Sequence, residues 1–141
     1  NMILIRYADI LLMYAESKIE LGEIDDSVYD AINEVRQRPT VEMPIITSGK
    51  SQEELRAIIR DERAVELAFE GLRLYDMNRW KIGEEKVGTV EGLYYLNTAS
   101  GEWETITSGL TRTFRADRDY LWPIPQVEME INDNITQNPN Y

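Results

Sequence analysis

The side chains best suited to chemistry lie in one segment, residues 62–80, where carboxylates and guanidinium groups alternate. Glu62, Glu66 and Glu70 recur at every fourth position, which places their carboxylates on one face of a helix. A row of this kind can bind a metal ion, supply the paired carboxylates of a glycosidase, or form a lattice of ion pairs. The residues around it decide between these three alternatives.

Arginines are spaced to neutralise these carboxylates within the same helix. The pairs at i, i+3 spacing are Arg63–Glu66, Glu70–Arg73, Arg73–Asp76 and Asp76–Arg79. The stripe that begins with Leu55 and Ile59 faces the core, and carboxylates on such a stripe are normally paired. We therefore predict a structural network that consists of Glu62, Arg63, Glu66, Glu70, Arg73, Asp76 and Arg79.

The residue types that most often bind metals or catalyse reactions are missing from this sequence. There is no histidine and no cysteine, which removes the commonest general base, thiolate chemistry and the usual zinc ligands. No phosphate-binding loop, dinucleotide fingerprint or nucleophile elbow is present. We predict that the protein is not an enzyme and has no catalytic residue, no metal site and no cofactor, although calcium held by oxygen ligands alone stays open.

The net charge of the chain limits its partners. With 26 acidic and 15 basic residues the formal charge is −11, which repels phosphate backbones and anionic lipid headgroups. Nucleic acid is therefore not an expected partner. No run approaches the roughly 18 apolar residues that span a bilayer, so we expect membrane association only through a lipid anchor outside this segment or through another protein.

Apolar residues recur at helical spacing in three stretches. Residues 2–21 and 25–38 predict two antiparallel helices joined by a short glycine turn, which is a tetratricopeptide-like hairpin. A third long helix is predicted over residues 51–82. It begins with a capping box at Ser51, and it contains Gly71 at a cost of about 1 kcal/mol relative to alanine.

Glycine, proline and β-prone residues replace the helical pattern after residue 82. The runs 93–97 and 103–107 flank the turn residues 98–101, which predicts a β-hairpin. The predicted fold class is mainly α, with the tetratricopeptide-like hairpin, the third long helix and an irregular C-terminal segment that contains the β-hairpin. We predict one domain over residues 1–141, helical over 1–82 and irregular with short strands over 83–141.

Aromatic residues near the predicted hairpin are candidates for ligand binding. A pyranose ring presents an apolar face that stacks on an aromatic side chain, and Tyr94, Tyr95 and Trp103 lie close to a turn expected to be exposed. We predict these three as ligand contacts, with packing against the protein as the alternative for Trp103. Trp80, which ends the predicted third helix, and Trp122, which lies between Leu121 and Pro123, are expected in the core.

Three motifs in order carry a resemblance to a known family. Residues 62–80 read E-R-x-x-E-L-x-x-E-G-x-R-x-x-D-x-x-R-W, residues 6–16 read R-Y-A-D-I-L-L-M-Y-A-E, and L-W-P-I-P at 121–125 precedes Q-N-P-N-Y at 137–141. Together they resemble the SusD/RagB family, the surface glycan-binding lipoproteins of Bacteroidota nutrient-uptake systems. Asn140 departs from the family's usual glycine, and residues 83–119 match no signature.

The resemblance implies a function and a location. It implies non-catalytic capture of an oligosaccharide, or in some members a peptide, at the extracellular face of the outer membrane, and delivery to a SusC-like TonB-dependent transporter. It also implies that the chain is the C-terminal part of a longer lipoprotein. Two alternatives stay open, namely a tetratricopeptide-like protein-interaction scaffold without its own ligand and a fragment of a glycoside hydrolase.

Overall fold

The computed structural model of the protein describes residues 5–88, 92–106 and 109–141. Within them the chain forms helices α1 (Tyr7–Leu21), α2 (Asp26–Arg36), α3 (Gln52–Glu66), α4 (Arg73–Trp80) and α5 (Gly83–Lys86), strands β1 (Leu93–Asn97) and β2 (Glu102–Ile106), and helix α6 (Gln126–Ile131). A mainly helical fold with one small antiparallel sheet confirms the predicted fold class.

The chain divides into two compact units, Asn1–Arg73 and Leu74–Tyr141. The boundary therefore lies before the change of character that composition indicates after residue 82. That the whole chain forms one domain stays a prediction. Within the described ranges, no helix combines the length and the apolar character needed to cross a membrane.

Helices α1, α2 and α3 build the core of the first unit, and α1 packs against both of the others. Gly22 ends α1 with a φ of 74°, a left-handed conformation that glycine adopts without steric cost. Asp25 caps α2 by accepting a hydrogen bond from the Ser27 N–H at 3.1 Å. The aliphatic side chains that are fully buried are Leu12, Ile19, Val28, Ile32, Leu55 and Ile59. Burial of each contributes about 1.5–3 kcal/mol, which makes this hairpin and α3 one hydrophobic unit.

The third helix is present, but its predicted extent over residues 51–82 is wrong, because α3 ends at Glu66 and a separate helix, α4, begins at Arg73. The capping box is confirmed: the Glu54 N–H donates to Ser51 Oγ at 3.2 Å, and the Ser51 N–H donates to the Glu54 carboxylate at 2.8 Å. Phe69 and Gly71 adopt φ values of 64° and 81°, and left-handed residues cannot continue a right-handed helix. Gly71, which would weaken a continuous helix, instead lies in the connection between α3 and α4.

The first helix begins later than predicted. Arg6 is extended, with φ −106° and ψ 150°, and α1 starts at Tyr7; residues 2–4 lie outside the described residues. The Arg6 guanidinium donates to the main-chain oxygen of Glu66 at 2.8 Å. This bond satisfies a carbonyl at the C-terminus of α3 that has no partner within the helix. Arg6, which precedes α1, therefore also caps the C-terminus of α3.

The β-hairpin has the predicted turn. Leu96 lies opposite Trp103, Tyr95 lies opposite Glu104, and residues 98–101 connect the strands. β1 has the predicted bounds, whereas β2 begins one residue earlier, at Glu102. At the base of the hairpin the Arg112 N–H donates to the Gly88 carbonyl at 3.1 Å.

Aromatic packing on a glycine organises the second unit. The Phe114 ring lies so close to Gly83 that a Cβ placed there would be 2.4 Å from it. Tyr120 meets the Phe114 ring edge-on, with ring centroids 4.7 Å apart, and its hydroxyl accepts the Gly83 N–H at 3.0 Å. The glycine at the start of α5 is therefore required by close packing.

The last residues of the chain bind the L-W-P-I-P segment through their side chains. Gln137 bonds both the N–H and the carbonyl of Ile124, at 2.8 and 3.0 Å. Asn138 and Tyr141 donate to the carbonyls of Trp122 and Leu121 at 2.6 and 2.9 Å. These side chains bond main-chain groups that a neighbouring strand would otherwise satisfy. The two C-terminal motifs therefore form one structural element.

Candidate functional site

Arginines from the helical hairpin bind the carboxylates of α3. Arg6 Nη1 lies 2.8 Å from Glu66 Oε1, and its Nη2 lies 2.6 Å from Glu70 Oε1. Arg38 also contacts the Glu66 carboxylate, whose side chain is 8% exposed. Hydrogen bonds that Arg6 donates to Glu70 and then to Glu66 raise the pKa of Arg6 above its usual range, so the guanidinium remains charged.

Arg63 and Glu62 of α3 also have partners on other helices. Arg63, whose side chain is 4% exposed, donates from Nη1 to Asp9 Oδ1 at 2.9 Å and lies 3.8 Å from the Glu16 carboxylate. Arg36 of α2 contacts the Glu62 carboxylate. The network therefore ties α3 to α1 and α2.

The predicted local pairing is corrected by these contacts. Of the four pairs expected at i, i+3 spacing, Asp76–Arg79 is present, with Asp76 Oδ1 2.8 Å from Arg79 Nη2. Glu70, however, pairs with Arg6. Arg73 takes no part in an ion pair among the described residues, and its Nη1 is buried without a hydrogen-bond partner. The helix break removes the helical spacing on which Glu70–Arg73 depends. Arg73 and Asp76 both lie in α4, where Asp76 pairs with Arg79.

Sequence reasoning missed the arginines that bind Glu62, Glu66 and Glu70. Arg6 belongs to the first family-like motif, and Arg36 and Arg38 end the second predicted helix. For Arg6 the available signal was its place in a family-like motif, but local spacing alone could not connect it to Glu66, 60 positions away. Within the described part of the chain, no group of three or more acidic side chains is arranged to hold a metal ion.

The hairpin brings two of the three predicted ligand-contact residues together. The Tyr94 and Trp103 rings stack with centroids 5.0 Å apart and planes inclined by 18°. They are 64% and 59% exposed. Tyr95 lies on the opposite face, because successive strand residues point to opposite sides of a sheet. The three rings therefore do not form one surface, and we call the pair of Tyr94 and Trp103 the aromatic platform.

The opposite face of the hairpin carries a hydrogen-bonded polar cluster. The Glu104 carboxylate accepts from the Asn97 amide at 2.8 Å and from the Tyr95 hydroxyl at 2.9 Å. These bonds, the one from Asn97 first, lower the pKa of Glu104, and the bond to Glu104 raises the pKa of Tyr95. The cluster links β1 to β2 across the sheet and so fixes the register that places Trp103 beside Tyr94.

The first unit contains a cleft between the start of α1 and the end of α2. It has a volume of about 580 Å³ and is lined mainly by apolar groups, including Tyr7, Leu11, Val35 and Pro39, with Glu34 and Arg38 also contributing. Exposed apolar side chains continue along α1, where Ile10 and Met13 are each more than two-fifths exposed. This surface is the second candidate site in the molecule.

The expectation for one core tryptophan is wrong. Trp122 is 72% exposed, because its carbonyl and not its ring is held by the C-terminal residues. Trp80 is partly buried, with the Arg79 guanidinium 4.5 Å from its ring centroid. Phe69 is fully exposed in the connection between α3 and α4, where its φ of 64° is left-handed.

Together, these features define a class: a mainly helical scaffold whose tetratricopeptide-like hairpin binds the carboxylates of a third helix with its own arginines. The SusD family model matches residues 1–141, and the chain belongs to this family.

Relatives from two genera are similar along the whole chain. SusD-like protein P2 of Formosa agariphila is 36% identical, over 100% of this chain and 26% of its own length. The crystal structure of a SusD-like protein from Bacteroides fragilis is 38% identical with a TM-score of 0.85, covering 99% of this chain and 26% of that one. A structure described as a SusD-like carbohydrate binding protein from the same species is 35% identical with a TM-score of 0.78, covering 94% and 28%. The chain thus spans about a quarter of the length of these relatives.

Proposed function

We propose that the protein captures glycans at the bacterial cell surface, without cleaving them, and passes them to a SusC-like TonB-dependent transporter in the outer membrane. The observation that carries this proposal is the exposed aromatic platform on a SusD-family scaffold. A relative described as carbohydrate binding supports the same ligand class. Attachment at the extracellular face through a lipid anchor outside this segment is part of the proposal and rests on the family.

The chemistry of the platform suits a sugar ring. A pyranose offers C–H groups on one face, and an exposed indole or phenol ring buries that face without needing a charged partner. Because Tyr94 and Trp103 already stack on each other, little side-chain freedom is lost when a ligand binds. Tyr95 is excluded from the proposed contact surface because it lies behind the sheet, bonded to Glu104.

A binding role without catalysis is supported by the state of the carboxylates. Glu62, Glu66 and Glu70 accept ion pairs from Arg36, Arg38 and Arg6. A glycosidase needs one carboxyl group that donates a proton and a second that attacks or activates water. The lone pairs of carboxylates bound by guanidinium groups are engaged in contacts within the fold.

The first experiment measures glycan binding by the natural protein that carries this chain. Glycan-array screening followed by calorimetry should identify an oligosaccharide ligand, and Trp103→Ala should weaken its affinity about tenfold or more, equivalent to about 1.4 kcal/mol. The melting temperature should change little, since a cross-strand pair contributes about 0.2–1 kcal/mol.

Matched variants test the location of the site. Trp122→Ala removes another exposed tryptophan of the same unit and should leave affinity unchanged, as should Tyr95→Phe on the opposite face of the hairpin. Unchanged affinity in Trp103→Ala together with a large loss of stability would show that this ring serves packing. Release of reducing sugar from the bound glycan would instead support the glycoside hydrolase alternative.

A protein-interaction scaffold is the second candidate, and the cleft beside α1 favours it. Tyr7 and Ile10 expose apolar surface next to this cleft, as expected for a helical pair that packs against a neighbour. Co-purification with the SusC-like transporter, in the absence of any glycan binding by the wild-type protein, would support this candidate over glycan capture.

A further inference from the structure

We infer that the aromatic platform takes uncharged glycans and discriminates against sulfated or uronic-acid glycans. This inference rests on the proposed function and adds the class of ligand. The sequence contains no lysine or arginine between Lys86 and Arg112, a stretch that includes the whole hairpin. Sites for sulfate or carboxylate groups use guanidinium or ammonium partners, and the hairpin supplies neither.

The charges that the hairpin does carry are negative and uncompensated. Glu102 and Glu104 lie on β2 on either side of Trp103. Neither carboxylate forms an ion pair within the described residues. Glu104 is held ionised by the hydrogen bonds from Asn97 and Tyr95. Both carboxylates lie on the face of the sheet opposite Trp103, so they make the hairpin negative without offering a cation to a ligand on the platform.

The face that carries the platform has no charged side chain. It consists of Tyr94 and Leu96 from β1 and Trp103 and Thr105 from β2, by the alternation of the paired strands. The faces of aromatic rings carry a negative quadrupole, which adds to the unfavourable field for an anion. A neutral sugar encounters no such penalty, since its apolar face packs on the rings and its hydroxyl groups remain hydrated.

The test compares glycans that differ in charge on one backbone. The natural protein that carries this chain is titrated with methyl-esterified and de-esterified homogalacturonan oligosaccharides, and with κ-carrageenan oligosaccharides before and after desulfation, after array screening for other neutral and anionic ligands. We expect binding to be confined to neutral glycans, or at least tenfold tighter than to the charged counterpart at low salt. The difference should shrink as sodium chloride is raised.

A charge-reversal variant identifies the cause of the discrimination. Glu102 is exposed and its carboxylate makes no hydrogen bond in the described structure, so Glu102→Lys changes the charge beside Trp103 without removing a contact. We expect it to raise the affinity for a charged counterpart at least threefold and to leave the neutral glycan within twofold. Asp133→Lys makes the same change of charge at an exposed position outside the hairpin and should alter neither affinity.

The outcomes separate this inference from the proposed function. Equal or tighter binding of the anionic member, or no response to Glu102→Lys, would overturn the inference and leave glycan capture intact. Binding of no glycan would overturn both. Loss of transporter co-purification in Trp103→Ala, with neutral-glycan affinity unchanged, would assign the platform to a protein contact and overturn the inference.

Discussion

The charged network of the first unit contains buried charged side chains, whereas the aromatic platform of the second unit consists of exposed aromatic side chains. In the first unit, the Arg63 and Glu66 side chains are almost fully buried. Arg63 pairs with Asp9 of α1, and Glu66 pairs with Arg6 and Arg38, which lie just outside α1 and α2. On the hairpin, Tyr94 and Trp103 are apolar and mostly exposed. Buried charges are tolerated because they are paired. Exposed rings bury little apolar surface on folding and therefore contribute little to stability. The charges of the network are engaged by partners within the protein, whereas the Tyr94 and Trp103 rings are accessible at its surface.

Breaking the buried network should have the largest effect on stability. Arg63→Ala leaves Asp9 and Glu16 without a guanidinium that lies 2.9 and 3.8 Å away, and the loss of one partner of a buried pair costs about 3–5 kcal/mol. Urea denaturation followed by circular dichroism measures this loss. Arg56→Ala is the control, because its pair with Glu20 is exposed and is worth at most about 1 kcal/mol. Equal effects of the two variants would contradict a structural role for the network.

Packing in the second unit gives an intermediate effect. Gly83→Ala places a Cβ 2.4 Å from the Phe114 ring, and overpacking of this kind costs about 1–3 kcal/mol. Gly88→Ala is the matched control, since a Cβ at Gly88 would meet no atom within 4 Å. Near-ultraviolet circular dichroism during thermal unfolding reports on the aromatic rings involved. A Gly83→Ala protein as stable as the control would show that Phe114 can move away.

Arg6, which pairs with Glu70, and Arg73, which was predicted to pair with it, should differ in their contribution to stability. Arg6→Ala removes the guanidinium that binds Glu66 and Glu70, and we expect a loss of about 2 kcal/mol, below that of a fully buried pair because Arg6 is partly exposed. Arg73→Ala removes a guanidinium without an ion pair and should cost less than about 1 kcal/mol. Denaturant midpoints of the two variants give the comparison. A larger loss in Arg73→Ala would restore the local pairing expected from the sequence.

We expect the smallest loss of stability when acid protonates Asp25 in its exposed ion pair with Lys18. Hydrogen bonds from Lys18 and then Ser27 lower the pKa of Asp25 from 3.8 to about 2. A carboxyl group with a lowered folded-state pKa adds stability above its unfolded pKa of 3.8, and this contribution is lost as the pH falls from about 4 to about 2. Melting temperatures of the wild type and Asp25→Asn across this range should converge at the acid end, and added salt should reduce the difference. Asparagine keeps the N-cap of α2, so a difference that persists at pH 2 would contradict this account.

The local elements were largely predictable from sequence. The capping box at Ser51, the glycine turn at Gly22 and the hairpin turn at 98–101 all appear as expected, because each depends on residues a few positions apart. The helix break at residues 67–72 was not predicted, since a helical charge pattern continues through Gly71. The left-handed conformation of Phe69 in this connection has no signal in its residue type, because aromatic residues rarely adopt it.

The candidate site was predictable in part. The rings near the hairpin turn were identified from composition, and the period of two in a strand was sufficient to separate Tyr94 from Tyr95. The stacking of Tyr94 with Trp103 depends on the register, in which Leu96 and not Tyr94 lies opposite Trp103. That register is held by the cluster around Glu104, and strand length and turn type alone left it open.

The sequence by itself determined the family, the mainly helical class and the need for every carboxylate on the α3 stripe to be neutralised. The tertiary structure decided which cations neutralise them. Arg6 meets Glu66 and Glu70 across more than 60 positions of the chain, and Arg36 meets Glu62 across 26. Helical spacing restricts partners only within a few turns. The choice among distant arginines follows from how α1, α2 and α3 bury their apolar faces against one another, and only the packed structure contains that information.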